Sequence, residues 1–135
     1  MTRGLRNNNP GNIRKGGDTF QGEKLPSSDP AFKQFTTMPY GYRAMFVTLA
    51  TYIGKGFNTI EKIISRWAPS NENNTDGYIK NVARMSKVTK TKVLTTSDGQ
   101  LIKAIVAAMS YVENGLPAVM ADVESGYKLQ TRITG

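Results

Sequence analysis

Leu101-Ile-Lys-Ala-Ile-Val-Ala-Ala-Met-Ser-Tyr-Val-Glu-Asn-Gly115 is the stretch from which the fold of this chain is read. Leu101, Ile102, Ile105, Val106, Met109 and Val112 recur at helical spacing, and only Lys103 is charged before the end. Gly115 supplies the residue most often found in the left-handed conformation that closes a helix. Glu113 stands out because it continues the row Ile105, Met109, Glu113 at i+4 spacing, on the apolar stripe. It also lies in the last turn, where the helix dipole disfavours negative charge. Partial burial and that dipole together are expected to raise a carboxylate pKa, which suits a general acid. The competing role is a carboxylate that rims the helix end in water, and spacing does not choose between the two.

Composition narrows the chemistry. With 135 residues the chain is long enough for one domain with a core, and no linker or internal repeat divides residues 1–135. No run of about 18 apolar residues exists to span a membrane. There is no cysteine and no histidine, so thiol catalysis, Cys-ligated zinc and the commonest general base are excluded. Acid–base work must fall to Asp, Glu, Tyr or Lys. No phosphate loop, zinc-binding helix, serine elbow or dinucleotide fingerprint occurs, and no metal or cofactor is implied. The formal charge of +8 suits a polyanionic partner, nucleic acid or an anionic cell wall, and charge does not separate these.

Working outward from the 101–115 stretch, residues 1–16 are polar and irregular. Asn7-Asn-Asn-Pro-Gly-Asn12 is a turn cluster, either a plain surface loop or an Asn-rich loop that hydrogen-bonds a sugar. Residues 17–36 carry Phe20, Leu25, Phe32 and Phe35 separated by Gly22, Pro26 and Pro30, which predicts short strands or a small hairpin. Glu23 and Asp29 lie there as surface acids or as a second catalytic carboxylate. Pro39 is placed to start a helix that runs through Met45, Phe46, Leu49, Tyr52 and Ile53 to Gly54. Asn58-Thr-Ile-Glu61 has the capping-box pattern with Asn58 as cap. The helix it opens carries Ile60, Ile63, Ile64 and Trp67, and Pro69 stops it. Trp67 closes the isoleucine stripe and is expected in the core rather than as a substrate platform. Asn74 or Thr75 caps the next helix, through Tyr78, Ile79, Val82 and Met85. Glu72 either caps that helix or faces a cleft. Residues 86–97 form a basic loop, Asp98 or Ser97 caps the Glu113 helix, and a short helix covers Val119 to Lys128. Tyr78 and Tyr111 each have a ring to pack and a hydroxyl to offer a cleft.

Several pieces together resemble one family. Arg3-Gly-Leu-Arg-Asn-Asn-Asn-Pro-Gly-Asn-Ile-Arg14, Phe20-Gln-Gly22, Phe32-Lys-Gln-Phe35 and Gly41-Tyr-Arg-Ala44 are similar to segments of phage virion proteins and lysins. Trp67-Ala-Pro-Ser-Asn-Glu-Asn-Asn-Thr75, Tyr78-Ile79 and Glu113-Asn-Gly115 fit the same group, so the likeness covers most of the chain up to about residue 117. These proteins resemble the lysozyme-like superfamily, including lytic transglycosylases and bacterial glucosaminidases. The resemblance implies an α+β, mainly α, lysozyme-like single domain over 1–135 with a small N-terminal β-hairpin. In ordinary members the glutamate helix comes first and an Asn-rich loop and hairpin follow. Here the loop and hairpin open the chain and the glutamate helix comes late, so the sequence looks circularly permuted, which is allowed when termini lie close together at the surface.

What the resemblance implies about function follows from that order. Glu113 matches the catalytic glutamate, with Glu23 and Glu72 as candidate second acids. Asn7, Asn8, Asn9, Asn12, Tyr78 and Tyr111 are candidate substrate-binding residues, and no metal is called for. The reaction implied is cleavage of the MurNAc–GlcNAc β-1,4 bond of peptidoglycan by a lytic transglycosylase or a muramidase, with Glu113 protonating the leaving oxygen. A non-catalytic virion or cell-wall-binding protein on the same fold is the alternative, since a fold does not fix function. The Lys87 to Lys92 run also permits a basic nucleic-acid binder, although such a run is ordinarily a solvated loop. The expected partners are peptidoglycan glycan strands and other virion proteins. Met1-Thr-Arg-Gly-Leu-Arg6 lacks the apolar stretch of a secretory signal, so the expected setting is a phage or prophage product made in the bacterial cytoplasm and acting on the cell wall or carried in a virion.

Overall fold

A computed structural model describes residues 1–135. Helices α1 (Arg3–Arg6), α2 (Met38–Gly54), α3 (Ile60–Trp67), α4 (Thr75–Ser86), α5 (Gly99–Asn114) and α6 (Met120–Lys128) follow in order. Several helix ends fall where local chemistry directs. Pro39 sits in the first turn of α2, where its missing amide proton costs no helical bond. Asn74 accepts the Gly77 amide at the start of α4. Gly115, at φ 72°, closes α5 by donating its amide to the Tyr111 carbonyl. The cap of α3 is Thr59 rather than Asn58: Thr59 Oγ1 accepts the Lys62 amide at 3.1 Å. Asn58 has another task, its carbonyl accepting the Leu94 amide at 2.8 Å and fastening the basic loop.

Packing centres on α5, which touches α1, α2, α4 and α6. Ile102, Ile105, Val106 and Met109 are fully enclosed, meeting Tyr42, Met45, Phe46 and Leu49 of α2 and Ile60, Ile63 and Ile64 of α3 in one apolar cluster. Each such aliphatic side chain contributes roughly 1.5–3 kcal/mol relative to staying exposed. Two polar ties cross the bundle. Tyr42 and Ser110 share a buried hydrogen bond of 2.9 Å, and Lys103 reaches Glu124 at 3.1 Å while its ammonium lies over the Tyr127 ring. No helix is long and apolar enough to cross a membrane.

The N-terminal part corrects the expected fold class. No sheet forms, and the chain is all-helical rather than α+β. Instead of the predicted small N-terminal β-hairpin there are two isolated antiparallel bridges, Arg14 to Phe32 and Glu23 to Phe35. A ladder needs consecutive amides to pair across strands. Here the amides of Ala31 and Phe32 donate to the Asp29 carboxylate, Ile13 donates to Asn9 Oδ1, and Gly22 takes a positive φ of 78°. Side chains and turns absorb the bonds that a hairpin would have required.

Candidate functional site

The site is assembled at the C-terminal end of α5. Glu113 is half-buried there, and both of its carboxyl oxygens are held. Asn12 Nδ2 donates to Oε1 at 2.9 Å, and the Tyr78 hydroxyl donates to Oε2 at 2.9 Å. Asn12 comes from the opening loop and Tyr78 from α4, so three distant segments converge on one carboxyl. Burial, then the adjacent Glu113 charge and their hydrogen bond, push the Tyr78 phenol well above the ordinary tyrosine range. Tyr78 therefore keeps its proton and acts as a fixed donor, not a base.

Local conformation aims Asn12. Its φ is 50°, in the left-handed region that asparagine tolerates better than most residues. Asn114, the neighbour of Glu113, ties the loop to the helix end: its side-chain amide donates to the Pro10 and Ser110 carbonyls, and Thr2 donates to its Oδ1 at 2.9 Å. Gly4 makes the close approach possible, because a Cβ there would stand 2.5 Å from Asn114 Oδ1 and 2.8 Å from Asn12 Oδ1. Asn12 Oδ1 is itself enclosed and without a partner.

Two hollows meet at Glu113. One, of about 340 Å³, is a cleft lined by Asn12, Arg14, Phe32, Tyr52, Trp67 and Glu72 among others. The second, of about 290 Å³, is lined by Asn73, Asn74, Gly77, Tyr78, Asn81 and Val112. Asn73 borders both, so the carboxyl stands between an aromatic hollow and an amide-rich one. Trp67 departs from the expected core position. The isoleucines of its stripe are fully buried, but Trp67 is half-buried and gives a face to the cleft, edge-on to Tyr52 at 6.4 Å between ring centres. A larger hollow of about 560 Å³ beside α3 holds its acid, Glu61, in an exposed pair with Lys90 at 3.6 Å.

The remaining candidates separate clearly. Glu72 is exposed and lines the Glu113 cleft, and Asn74, not Glu72, caps α4. Glu23 lies outside the cleft, enclosed with Lys33 at 3.1 Å while it accepts the Phe20 amide. Asp29 is likewise tied up rather than superficial, with Arg3 at 2.7 and 2.8 Å, and that guanidinium holds its carboxyl far below the usual range. Asn7 donates to Asp29, Asn8 to the Phe35 carbonyl, and Asn9 to the Ile13 and Lys33 carbonyls, so these three amides brace the loop. Tyr111 is exposed beside a different, apolar hollow between α5 and α6. No group of three or more acidic side chains gathers that could hold a metal ion. Sequence reasoning missed Arg14, Phe32, Tyr52, Asn73 and Asn114. All but Tyr52 lie in the segments that carry the resemblance, and Asn114 stands beside Glu113 in the last turn of α5.

Fold and site define an all-helical protein with a doubly held glutamate at a helix end. No family model matches the sequence. Protein P5 of Pseudoalteromonas phage PM2 is 39% identical over 131 residues, covering 93% of this chain and 80% of that protein. The chain belongs to the family of that phage protein.

Proposed function

We propose that this phage protein cleaves the glycan strands of peptidoglycan at the MurNAc–GlcNAc β-1,4 bond. The observation that carries this proposal is Glu113, clamped by Asn12 and Tyr78 where two hollows meet. Glu113 transfers its proton to the glycosidic oxygen as the C1–O bond breaks and an oxocarbenium-like sugar develops. The resulting carboxylate then takes the proton of the MurNAc 6-hydroxyl as that oxygen attacks C1, leaving an anhydro end. The alternative second step uses water, with Glu72 as the other carboxyl of the cleft. Glu23 and Asp29, tied up in ion pairs, support neither step. Digestion of purified peptidoglycan followed by mass spectrometry tests this: anhydro ends support transglycosylation, reducing ends support hydrolysis, and an unchanged polymer sinks the proposal.

Exposed apolar side chains favour a second function, a non-catalytic component that docks on other virion proteins. Tyr111 and Met120 stand exposed at the hollow between α5 and α6, and Leu116 and Val119 of the intervening loop are exposed as well; exposed apolar patches often mark contact surfaces. Peptidoglycan left intact, together with retention of the protein in purified virions, would favour it.

A further inference from the structure

Two arginines share one ring beside the Glu113 cleft, and they differ in charge balance. The Arg3 guanidinium lies 4.6 Å from the Phe32 ring centre and that of Arg14 lies 5.2 Å from it. Arg3 is neutralised by two hydrogen bonds to Asp29. Arg14 is exposed and has no carboxylate within 4.0 Å. It is also the single cation lining the cleft. A guanidinium seated on an aromatic face is partly ordered before binding, and its planar fork matches a carboxylate through two parallel N–H donors.

We infer that Arg14 is a specificity residue that binds a carboxylate of the stem peptide carried on the MurNAc lactyl group, so that the peptide-bearing sugar occupies the aromatic hollow beside Glu113. This rests on the glycan-cleaving function proposed above and adds the substrate feature that is recognised. The cleft's own acids do not cancel the cation. Both oxygens of Glu113 are engaged by Asn12 and Tyr78, and Glu72 stands in solvent on the α3–α4 loop, neither of them paired with Arg14. Neutral sugar chains of the same backbone lack the group that Arg14 would bind.

Binding to the full chain carrying Glu113→Gln, which blocks turnover, tests the inference with two probes: soluble peptidoglycan fragments that retain their carboxylates and a neutral N-acetylglucosamine oligomer of equal length. Adding Arg14→Ala should weaken binding of the carboxylate-bearing probe by about tenfold or more, and leave the neutral oligomer unchanged. Arg14→Lys should recover only part, since an ammonium is a point charge without the fork. Lys92→Ala, removing one exposed charge on the basic loop, controls for net charge. Equal loss on both probes, or a loss no larger than that of Lys92→Ala, overturns the assignment of Arg14. Failure of the Glu113→Gln parent to bind either probe overturns the glycan-cleaving function itself, a result readily told apart from the others.

Discussion

The helical body, residues 38–128, and the N-terminal segment, residues 1–37, are held together by opposite means. Buried residues in the body are mostly apolar, with Met45, Phe46, Leu49, Ile60, Ile63, Ile105 and Met109 fully enclosed. In the segment the buried set is largely polar: Asn7, Asn9, Asp29 and Lys33, with Phe35 as its one large buried apolar side chain. The body gains from removing hydrocarbon from water, a non-directional force that tolerates local adjustment. The segment relies on directional bonds between side chains and backbone, in which a lost partner leaves an enclosed group unsatisfied. The site lies where the two regimes meet: α5 provides Glu113, and the segment provides Asn12, which aims it.

The largest effect on stability is expected in the body. Ile105→Ala should lower unfolding free energy by about 2–5 kcal/mol, through lost transfer energy and the cavity left behind, as measured by denaturant titration. A cost below that of the N-terminal substitutions would break the contrast. Next, Glu113→Gln should fold normally and lose at least about a hundredfold in glycan cleavage, because the amide cannot transfer the proton. Wild-type cleavage by a folded variant would remove Glu113 from the chemistry.

Asn9→Ala should cost about 1–3 kcal/mol, since it strips partners from the Ile13 and Lys33 carbonyls and the Ile13 amide. Hydrogen exchange should show the opening confined to residues 1–37, with α2–α6 still protected. Uniform loss of protection would mean that the two regions unfold as one unit. The smallest effect concerns Asp29, whose carboxyl is lowered first by hydrogen bonding from Arg3, against an opposing contribution from burial, and further by the Ala31 amide. A carboxyl depressed on folding contributes stability that is present above its unfolded value of about 3.9 and is lost as pH falls through its folded value. Asp29→Asn should therefore be less stable than wild type at neutral pH, with the gap narrowing below about pH 4. A gap undiminished in acid would show that the Arg3–Asp29 pair does not account for it.

Helix spans were legible because a 3.6-residue period, a cap and a breaker are all local. The apolar spacing of 101–112, Pro39 in the first turn of α2, Asn74 ahead of α4 and Gly115 after α5 each mark an element within a few residues. The position of Glu113 at the end of the most apolar helix, and the absence of histidine and cysteine, were equally plain. The hairpin misled because Phe20, Phe32 and Phe35 between glycines and prolines satisfy a strand pattern. Composition does not reveal that Asp29 and Asn9 take the amides a ladder needs. Trp67 departs from its stripe because the last residue of a short helix can turn toward a cleft while the isoleucines before it stay enclosed.

By itself, the sequence determined five substantial helices, the acid available at the end of one of them and the +8 charge. Tertiary structure alone decided that Asn12, 101 residues away, and Tyr78, 35 residues away, would close on the two oxygens of Glu113. It alone enclosed Glu23 and Asp29 in ion pairs while leaving Arg14 free. The physical reason is range: helical periodicity is written within a turn or two of chain, whereas a hydrogen bond between distant side chains has no period and exists only once packing has fixed both partners.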